Sequence, residues 1–430
     1  MKESARLKAI DELLTLLLMP EQNKPADTIF VDYCRSRRYI GSSDRKYIAD
    51  GFFEILRFYH GYANALKGAL TPRLLALTYW AERNDTNFAR LIQEQAETTA
   101  PFAHRYQIKC PNAHESVLIV RALSILKDQP IVLPQWCMPY FQGLPGDLNE
   151  HIKSLHQSAS FDIRVNPLKA TRPEALEFFK KSGIVAEPTA ISPLGIRLKN
   201  RIPLQELSIW KVGMIEVQDE GAQLVALLSG VKSSDQVLDY CAGAGGKTLL
   251  MAAMMHNKGR IIATDLYPWR LKQGANRYKR AGVHNVQIKD LSDTKWWKRH
   301  QETFDCVLID VPCSGSGTWR RNPDLKLFFG EKDLKEVCQK QREILEKTKH
   351  YVKPGGQLVY ATCSLWPIEN DGQIKAFLAN NPEFEIVPLD THELLASAQQ
   401  PFATETGIQL CPLYHETDGF FVSVLQRRCL

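Results

Sequence analysis

Two cysteines are set apart by their surroundings. Cys313 lies in Asp310-Val311-Pro312-Cys313-Ser314-Gly315-Ser316-Gly317, and Cys363 lies 50 residues later in Tyr360-Ala361-Thr362-Cys363-Ser364. Each follows an apolar run that reads as a buried strand, and each falls in a turn. A thiolate is a strong nucleophile. One chemistry that needs such a group is substitution at carbon 5 of a cytosine, which is unreactive until a thiolate adds to carbon 6. Carbon 5 can then attack a methyl sulfonium, after which the carbon 5 proton leaves and the thiol is expelled. Asp310, at the end of the first of these strands, is placed to bond the base. From the residues alone, either cysteine can be the nucleophile. Cys34, Cys110, Cys137, Cys306, Cys338, Cys411 and Cys429 are expected to be small core residues.

A second group of residues suits a cofactor. Val237-Leu238-Asp239-Tyr240 reads as a strand, followed by the turn Cys241-Ala242-Gly243-Ala244-Gly245-Gly246-Lys247-Thr248 and a helix. Glycines let backbone approach a ligand, and a helix start offers free N–H groups. Gly246-Lys247-Thr248 resembles the end of a phosphate-binding G-x-x-x-x-G-K-[ST] loop, but position 241 is Cys, which disfavours an ATPase. Asp265 ends the next strand, where a carboxylate can hold ribose hydroxyls, and Asp290 ends the third, where it can face an adenine.

These residues need a scaffold that brings strand ends together. From Gln218 onward, strand and helix patterns alternate, which implies a parallel sheet with crossovers. The strand candidates are 236–240, 260–264, 286–289, 306–309 and 357–361, with two closing strands at 384–387 and 420–426. The helix candidates are 247–255, 269–281, 333–352 and 368–378. Residues 160–215 read as a small α+β unit, with strands at 161–166, 196–198 and 214–217 and a helix from Arg172 to Ser182 after Thr171. Residues 1–150 read as helical, with apolar periodicity in Ile10–Leu14 and Tyr47–Leu56 and prolines near its end. The expected domains are therefore 1–150, 151–217 and 218–430.

The 430 residues carry a net charge of +6, with 44% hydrophobic and 24% charged residues. That is ordinary for a soluble multidomain chain and permits a nucleic-acid partner. Residues 1–10 are polar, so no secretory signal is read, and Leu13–Met19 is too short an apolar run to span a bilayer. The scattered cysteines have no metal-ligand spacing. A cytoplasmic monomer without metal or membrane contact is expected.

The ordered motifs carry a specific resemblance. Asp310 to Thr318, then Arg321-Asn322-Pro323-Asp324, then Tyr360 to Ser364 resemble the RsmB/Nop/Sun family of RNA 5-methylcytosine methyltransferases. Gln218-Asp219-Glu220-Gly221-Ala222-Gln223, the turn Cys241–Thr248 and Asp418-Gly419-Phe420-Phe421 extend the match over roughly residues 160–430. The resemblance implies a Rossmann-like class I methyltransferase domain with a mostly parallel seven-stranded α/β sheet. A small RRM-like unit would precede it, after an N-terminal helical domain similar to NusB. It implies S-adenosyl-L-methionine as cofactor, held by Cys241, Ala242, Gly243, Ala244, Gly245, Gly246, Lys247, Asp265, Arg270, Asp290 and Asp310. It implies Cys363 as nucleophile and Cys313 as the residue assisting release. The family usually has proline where this chain has Ala244, so a slightly less rigid loop is expected.

The implied partner is RNA, with small-subunit rRNA ahead of tRNA. A duplex hides carbon 5, so the target cytosine must be unpaired or flipped out. Arg164, Arg320 and Arg321 are the expected RNA contacts. A basic run from Arg270 to Arg299 and the aromatic Trp269, Trp296, Trp297 and Trp319 are further candidates. Two rival readings are an idle RNA-binding ribosome assembly factor on the same fold and a DNA cytosine methyltransferase, which would use the Pro-Cys cysteine as nucleophile.

Overall fold

The structure is a computed structural model that describes residues 1–19, 24–84, 111–128, 131–389, 392–396 and 402–429. The chain forms two compact units: Met1–Met138 with Asn322–Phe328, and Pro139–Arg321 with Phe329–Leu430.

The described part of the first unit is helical, comprising α1 (Glu3–Leu17), α2 (Ala26–Ser36), α3 (Ser42–Arg57), α4 (Tyr59–Leu66), α5 (Pro72–Arg83) and α6 (Ala113–Asp128), with the short helix Leu325–Phe328. The helical spacing of Leu7, Ile10, Leu13, Leu14 and Leu17 turns one face of α1 inward. Thr71 caps α5 by accepting the Leu74 N–H, with Pro72 in the first turn. Within this unit Asp324 Oδ2 accepts the Ala26 N–H at 3.0 Å. The expected helical periodicities in Ile10–Leu14 and Tyr47–Leu56 fall in α1 and α3.

The second unit contains α7 (Leu148–Leu155). A four-stranded antiparallel sheet follows, in the order β2-β3-β1-β4: β1 (Phe161–Val165), β2 (Ala186–Pro188), β3 (Gly195–Leu198) and β4 (Ile215–Val217). Helix α8 (Arg172–Lys181) starts in a capping box between Thr171 and Glu174. Its Ala175 and Phe179 bury against Ile163, Val165, Ile196 and Ile215. Strand β2 carries no apolar alternation and ends in Pro188, which is why the sequence did not reveal it.

Helix α9 (Glu220–Leu227) leads into the large sheet. Its first strands and helices are β5 (Gln236–Asp239), α10 (Gly246–Met254), β6 (Arg260–Ala263), α11 (Pro268–Ala281) and β7 (Val286–Ile288). Then come β8 (Phe304–Asp310), α12 (Glu331–Thr348), β9 (Val352–Thr362), α13 (Asp371–Asn380) and β10 (Phe384–Ile386). Strands β11 (Phe402–Ala403), β12 (Ile408–Leu410) and β13 (Phe420–Arg427) close it. The order is β11-β12-β13-β9-β8-β5-β6-β7, with β10 beside β13. Strands β5 to β9 pair in parallel, whereas β13 runs antiparallel to β9.

All seven expected strands are present, and the short β11 and β12 bring the sheet to nine among the described residues. Helix α12 stops at Thr348, earlier than expected, because Val352 already belongs to β9. Helix α13 starts at Asp371, since Pro367–Glu369 is a 3-10 turn. The chain winds outward from β5 in one direction to β6 and β7, then in the other to β8 and β9. The switch point thus lies between β5 and β8, where open α/β sheets bind ligands at the strands' carboxyl ends.

Candidate active site

Strands β8 and β9 pair in register, with Asp310 opposite Ala361. The Val311 N–H then donates to the Ala361 carbonyl at 3.0 Å. The two cysteine loops therefore leave neighbouring strands at the same height. Cys313 Sγ and Cys363 Sγ are 3.3 Å apart, and both thiols are free and half-buried. The backbone locks the loops further: the Gly317 N–H donates to the Cys363 carbonyl at 3.0 Å and the Gly419 N–H to the Gly317 carbonyl at 2.8 Å. A Cβ at Gly317 would lie 2.3 Å from the Gly419 carbonyl oxygen, so only glycine admits this crossing. The hydrogen bond to Cys363, followed by burial and the nearby Cys363 and Glu369 charges, pushes the Cys313 thiol well above its usual range.

Lys247 enters the site from the first turn of α10. Its Nζ donates to Asp310 Oδ2 at 2.6 Å. Burial opposes its charge, but Asp310, Asp239 and Cys363 outweigh it and raise the ammonium's pKa. One residue on, Thr248 Oγ1 donates to the buried Asp239 Oδ2 at 2.6 Å. Burial raises that carboxyl to about 7.

The glycine-rich turn is held from behind. Gly245 has φ +79°, and a Cβ there would lie 2.3 Å from the Tyr278 hydroxyl. The Gly243 N–H donates to Asp265 Oδ2 at 2.8 Å, and the Tyr267 N–H to Asp265 Oδ1 at 2.8 Å. Arg270 approaches the same carboxylate at 3.5 Å. The Ala242 N–H donates to the Thr264 carbonyl at 2.9 Å, and the Ala244 carbonyl accepts from Arg277 Nη1 at 2.7 Å. The Ala244 backbone is thus tied by a side chain. Cys241 is half-buried beside these carboxylates, and burial pushes its thiol well up. Asp290 is exposed past β7, and the Ser292 bonds lower its pKa.

Of the three expected RNA contacts, Arg164 and Arg320 are buried and Arg321 is half-buried. Arg164 is buried on β1, where Nη1 donates to Gln218 Oε1 and, at 2.8 Å, to the Gly246 carbonyl. Burial and the Arg277 guanidinium push its pKa down to about 9. Arg320 and Arg321 pair with Asp418 at 3.1 and 2.7 Å, and Arg321 also reaches Asp219 at 3.1 Å. Arg164 and Arg320 therefore meet protein partners in the interior instead of presenting a free guanidinium to a phosphate. The cluster explains why Gln218–Gln223, Arg321–Asp324 and Asp418–Phe421 occur together: it joins an Asp from the first, an Arg from the second and an Asp from the third. Trp297 and Trp319 are buried core residues, and Trp296 stacks on His300 at 3.7 Å, which leaves Trp269 as the exposed one of the four. In the basic run, Arg277 and Arg280 fold onto Glu216. Cys34, Cys137, Cys306, Cys338 and Cys411 are buried as expected. Cys429 is exposed, because the chain has left the sheet after β13; Cys110 lies outside the described residues.

Sequence reasoning missed Glu369, Ser314 and Ser364, which form a buried polar network under both cysteines. The available signal was Pro367-Ile368-Glu369-Asn370, an acid and an amide placed shortly after Thr-Cys-Ser in an otherwise apolar stretch.

A parallel sheet with a glycine-rich turn, a carboxylate at the next strand end and reactive groups past β8 and β9 defines a Rossmann-like methyltransferase fold. The description "16S rRNA methyltransferase RsmB/F" matches residues 226–426, and "Methyltr_RsmF/B-like, ferredoxin-like domain" matches residues 133–205. The ribosomal RNA small subunit methyltransferase B of Yersinia pseudotuberculosis is 32% identical over 315 residues, covering 72% of this chain and 70% of that protein. The protein of the same name from Photorhabdus laumondii is 33% identical over 297 residues, 69% of this chain. This chain spans 66% of the length of that relative. The crystal structure of PH0851 aligns with a TM-score of 0.76 at 25% identity, covering 99% of each chain. The chain belongs to the RsmB/F family of methyltransferases.

Proposed function

We propose that the protein transfers a methyl group from S-adenosylmethionine to carbon 5 of a cytosine in RNA, with small-subunit rRNA as substrate. The observation that carries this reading is the pair of free thiols 3.3 Å apart at neighbouring strand ends, beside the Lys247–Asp310 pair. The donor set suits the cofactor's polar groups. Helix α10 starts without a side-chain cap, which leaves N–H groups for a carboxylate. Asp265 and Asp310 are acceptors for hydroxyl and ammonium groups. The turn Cys241–Lys247, Asp265, Arg270, Asp290 and Asp310 would hold the cofactor, which when bound supplies an electrophilic methyl at its sulfonium.

In this reading Cys363 adds to carbon 6 of an extruded cytosine. Lys247 stands by as counter-ion for an anion at Cys363, and Asp310 bonds the base. Cys313 is held as a thiol against Cys363, where it assists the proton movements that accompany loss of the carbon 5 hydrogen and cleavage of the carbon–sulfur bond. Residues 1–150 and 151–217 contribute RNA contacts, and 218–430 catalyse in a cytoplasmic, metal-free enzyme.

The test is incubation with methyl-labelled S-adenosylmethionine and total RNA from cells lacking the protein. Label recovered as 5-methylcytosine in small-subunit rRNA is expected. Label in tRNA would reassign the substrate. No label in any RNA would overturn the enzymatic reading in favour of an assembly factor.

A further inference from the structure

Glu369 lies under both cysteine loops and belongs to neither. It is fully buried. Its Oε1 accepts the Ser314 N–H at 2.8 Å and Gln341 Nε2 at 3.0 Å. Its Oε2 accepts Ser314 Oγ at 2.5 Å and the Ser364 hydroxyl. Ser314 directly follows Cys313, and Ser364 directly follows Cys363. Gln341 also donates to the Pro312 carbonyl at 2.9 Å, immediately before Cys313. Ser364 Oγ in turn accepts the Trp366 N–H at 3.0 Å and meets Ser316 Oγ at 3.0 Å. Burying a carboxyl is costly unless every lone pair is used, and here burial does raise its affinity for a proton. A leucine would fill such a volume without that cost. What a leucine lacks is acceptor geometry that ties two loops to one point.

We propose that Glu369 is a positioning residue: through Ser314 and Ser364 it fixes the register of the Cys313 loop against the Cys363 loop and so keeps the two sulfurs in contact. Its use in catalysis rests on the methyl-transfer reading; the positioning itself does not. Loosening the tie lets each sulfur wander separately, which lowers the effective concentration of one thiol at the other.

That quantity can be read without RNA. In the full chain, diamide takes two hydrogens from the Cys313 and Cys363 thiols, is itself reduced to the hydrazine, and leaves a Cys313–Cys363 disulfide. The product is identified by peptide mass, and its equilibrium constant is then measured against glutathione. We expect the disulfide to form readily in the unaltered protein. In Glu369→Gln the equilibrium constant should shift at least tenfold toward the dithiol, about 30 mV for this two-electron couple. The double variant Ser314→Ala/Ser364→Ala should move it the same way, and it carries the test if Glu369→Gln does not fold. A merely structural residue would lower the melting temperature and leave the potential of the folded protein where it was; that result overturns the proposal, as does failure of the unaltered pair to form the disulfide. An altered potential in a protein that transfers no methyl group to any RNA would sink the methyl-transfer reading and leave the positioning role standing.

Discussion

Asp239 makes the most quantitative claim on the protein's pH behaviour. It ends β5 at the entrance to the glycine-rich turn and is 1% exposed. Burial raises its carboxyl from 3.8 to about 7; the Thr248 hydrogen bond and the Lys247 ammonium oppose the rise, and Asp310 and Asp265 add to it. The native state therefore holds this proton more tightly than the unfolded chain does. Stability falls as pH rises from about 4 to about 7, and above that window the whole deficit is present. At about 1.4 kcal/mol for each pH unit of difference, the deficit is on the order of 4 kcal/mol. Asn keeps an oxygen for the Thr248 hydroxyl and carries no charge. Asp239→Asn should therefore be more stable than the unaltered protein by roughly 2–4 kcal/mol at pH 8 and within about 1 kcal/mol of it at pH 4. Urea unfolding followed by circular dichroism at pH 4, 6 and 8 measures both. A difference that does not change with pH, or an Asn variant that is less stable at pH 8, would refute the reasoning.

Three other perturbations follow from the site. Lys247→Met leaves Asp310 without its ammonium and removes the cation beside Cys363; losing one charged hydrogen bond of about 2–3 kcal/mol predicts a roughly 30- to 150-fold fall in kcat for methyl transfer, read with labelled cofactor. Gly245→Ala forces a side chain into a left-handed residue and onto the Tyr278 hydroxyl, so calorimetry should find cofactor binding lost and unfolding should ease by about 2 kcal/mol or more. Arg320→Ala removes one of the two guanidiniums that hold the buried Asp418 and leaves it to Arg321 alone, so the melting curve should record a loss of about 3 kcal/mol. An unchanged melting curve with weakened RNA binding would return Arg320 to the RNA surface.

The centre of the parallel sheet was legible because β5, β6 and β8 are largely buried and read as apolar runs followed by Asp239, Asp265 and Asp310. The cysteine loops were legible because turns carry their own residue signatures. Helix α9 escaped notice, as its Glu220 and Gln223 are polar residues turned inward: Glu220 Oε1 accepts the Ile191 and Ser192 N–H groups at 2.6 Å. The same inversion buries Arg164 and Arg320. A basic residue read along the chain looks like a surface group, and only the folded structure reveals the buried acceptor it serves. Glu369 is the strongest instance, because its partners come from loops 50 residues apart.

The central claim is the division of labour between two sulfurs 3.3 Å apart. It is tested most directly on a denaturing gel, with each cysteine variant incubated with RNA and S-adenosylmethionine. The account predicts a protein–RNA adduct that persists in Cys313→Ala and none in Cys363→Ala. An adduct in Cys363→Ala and none in Cys313→Ala would contradict it.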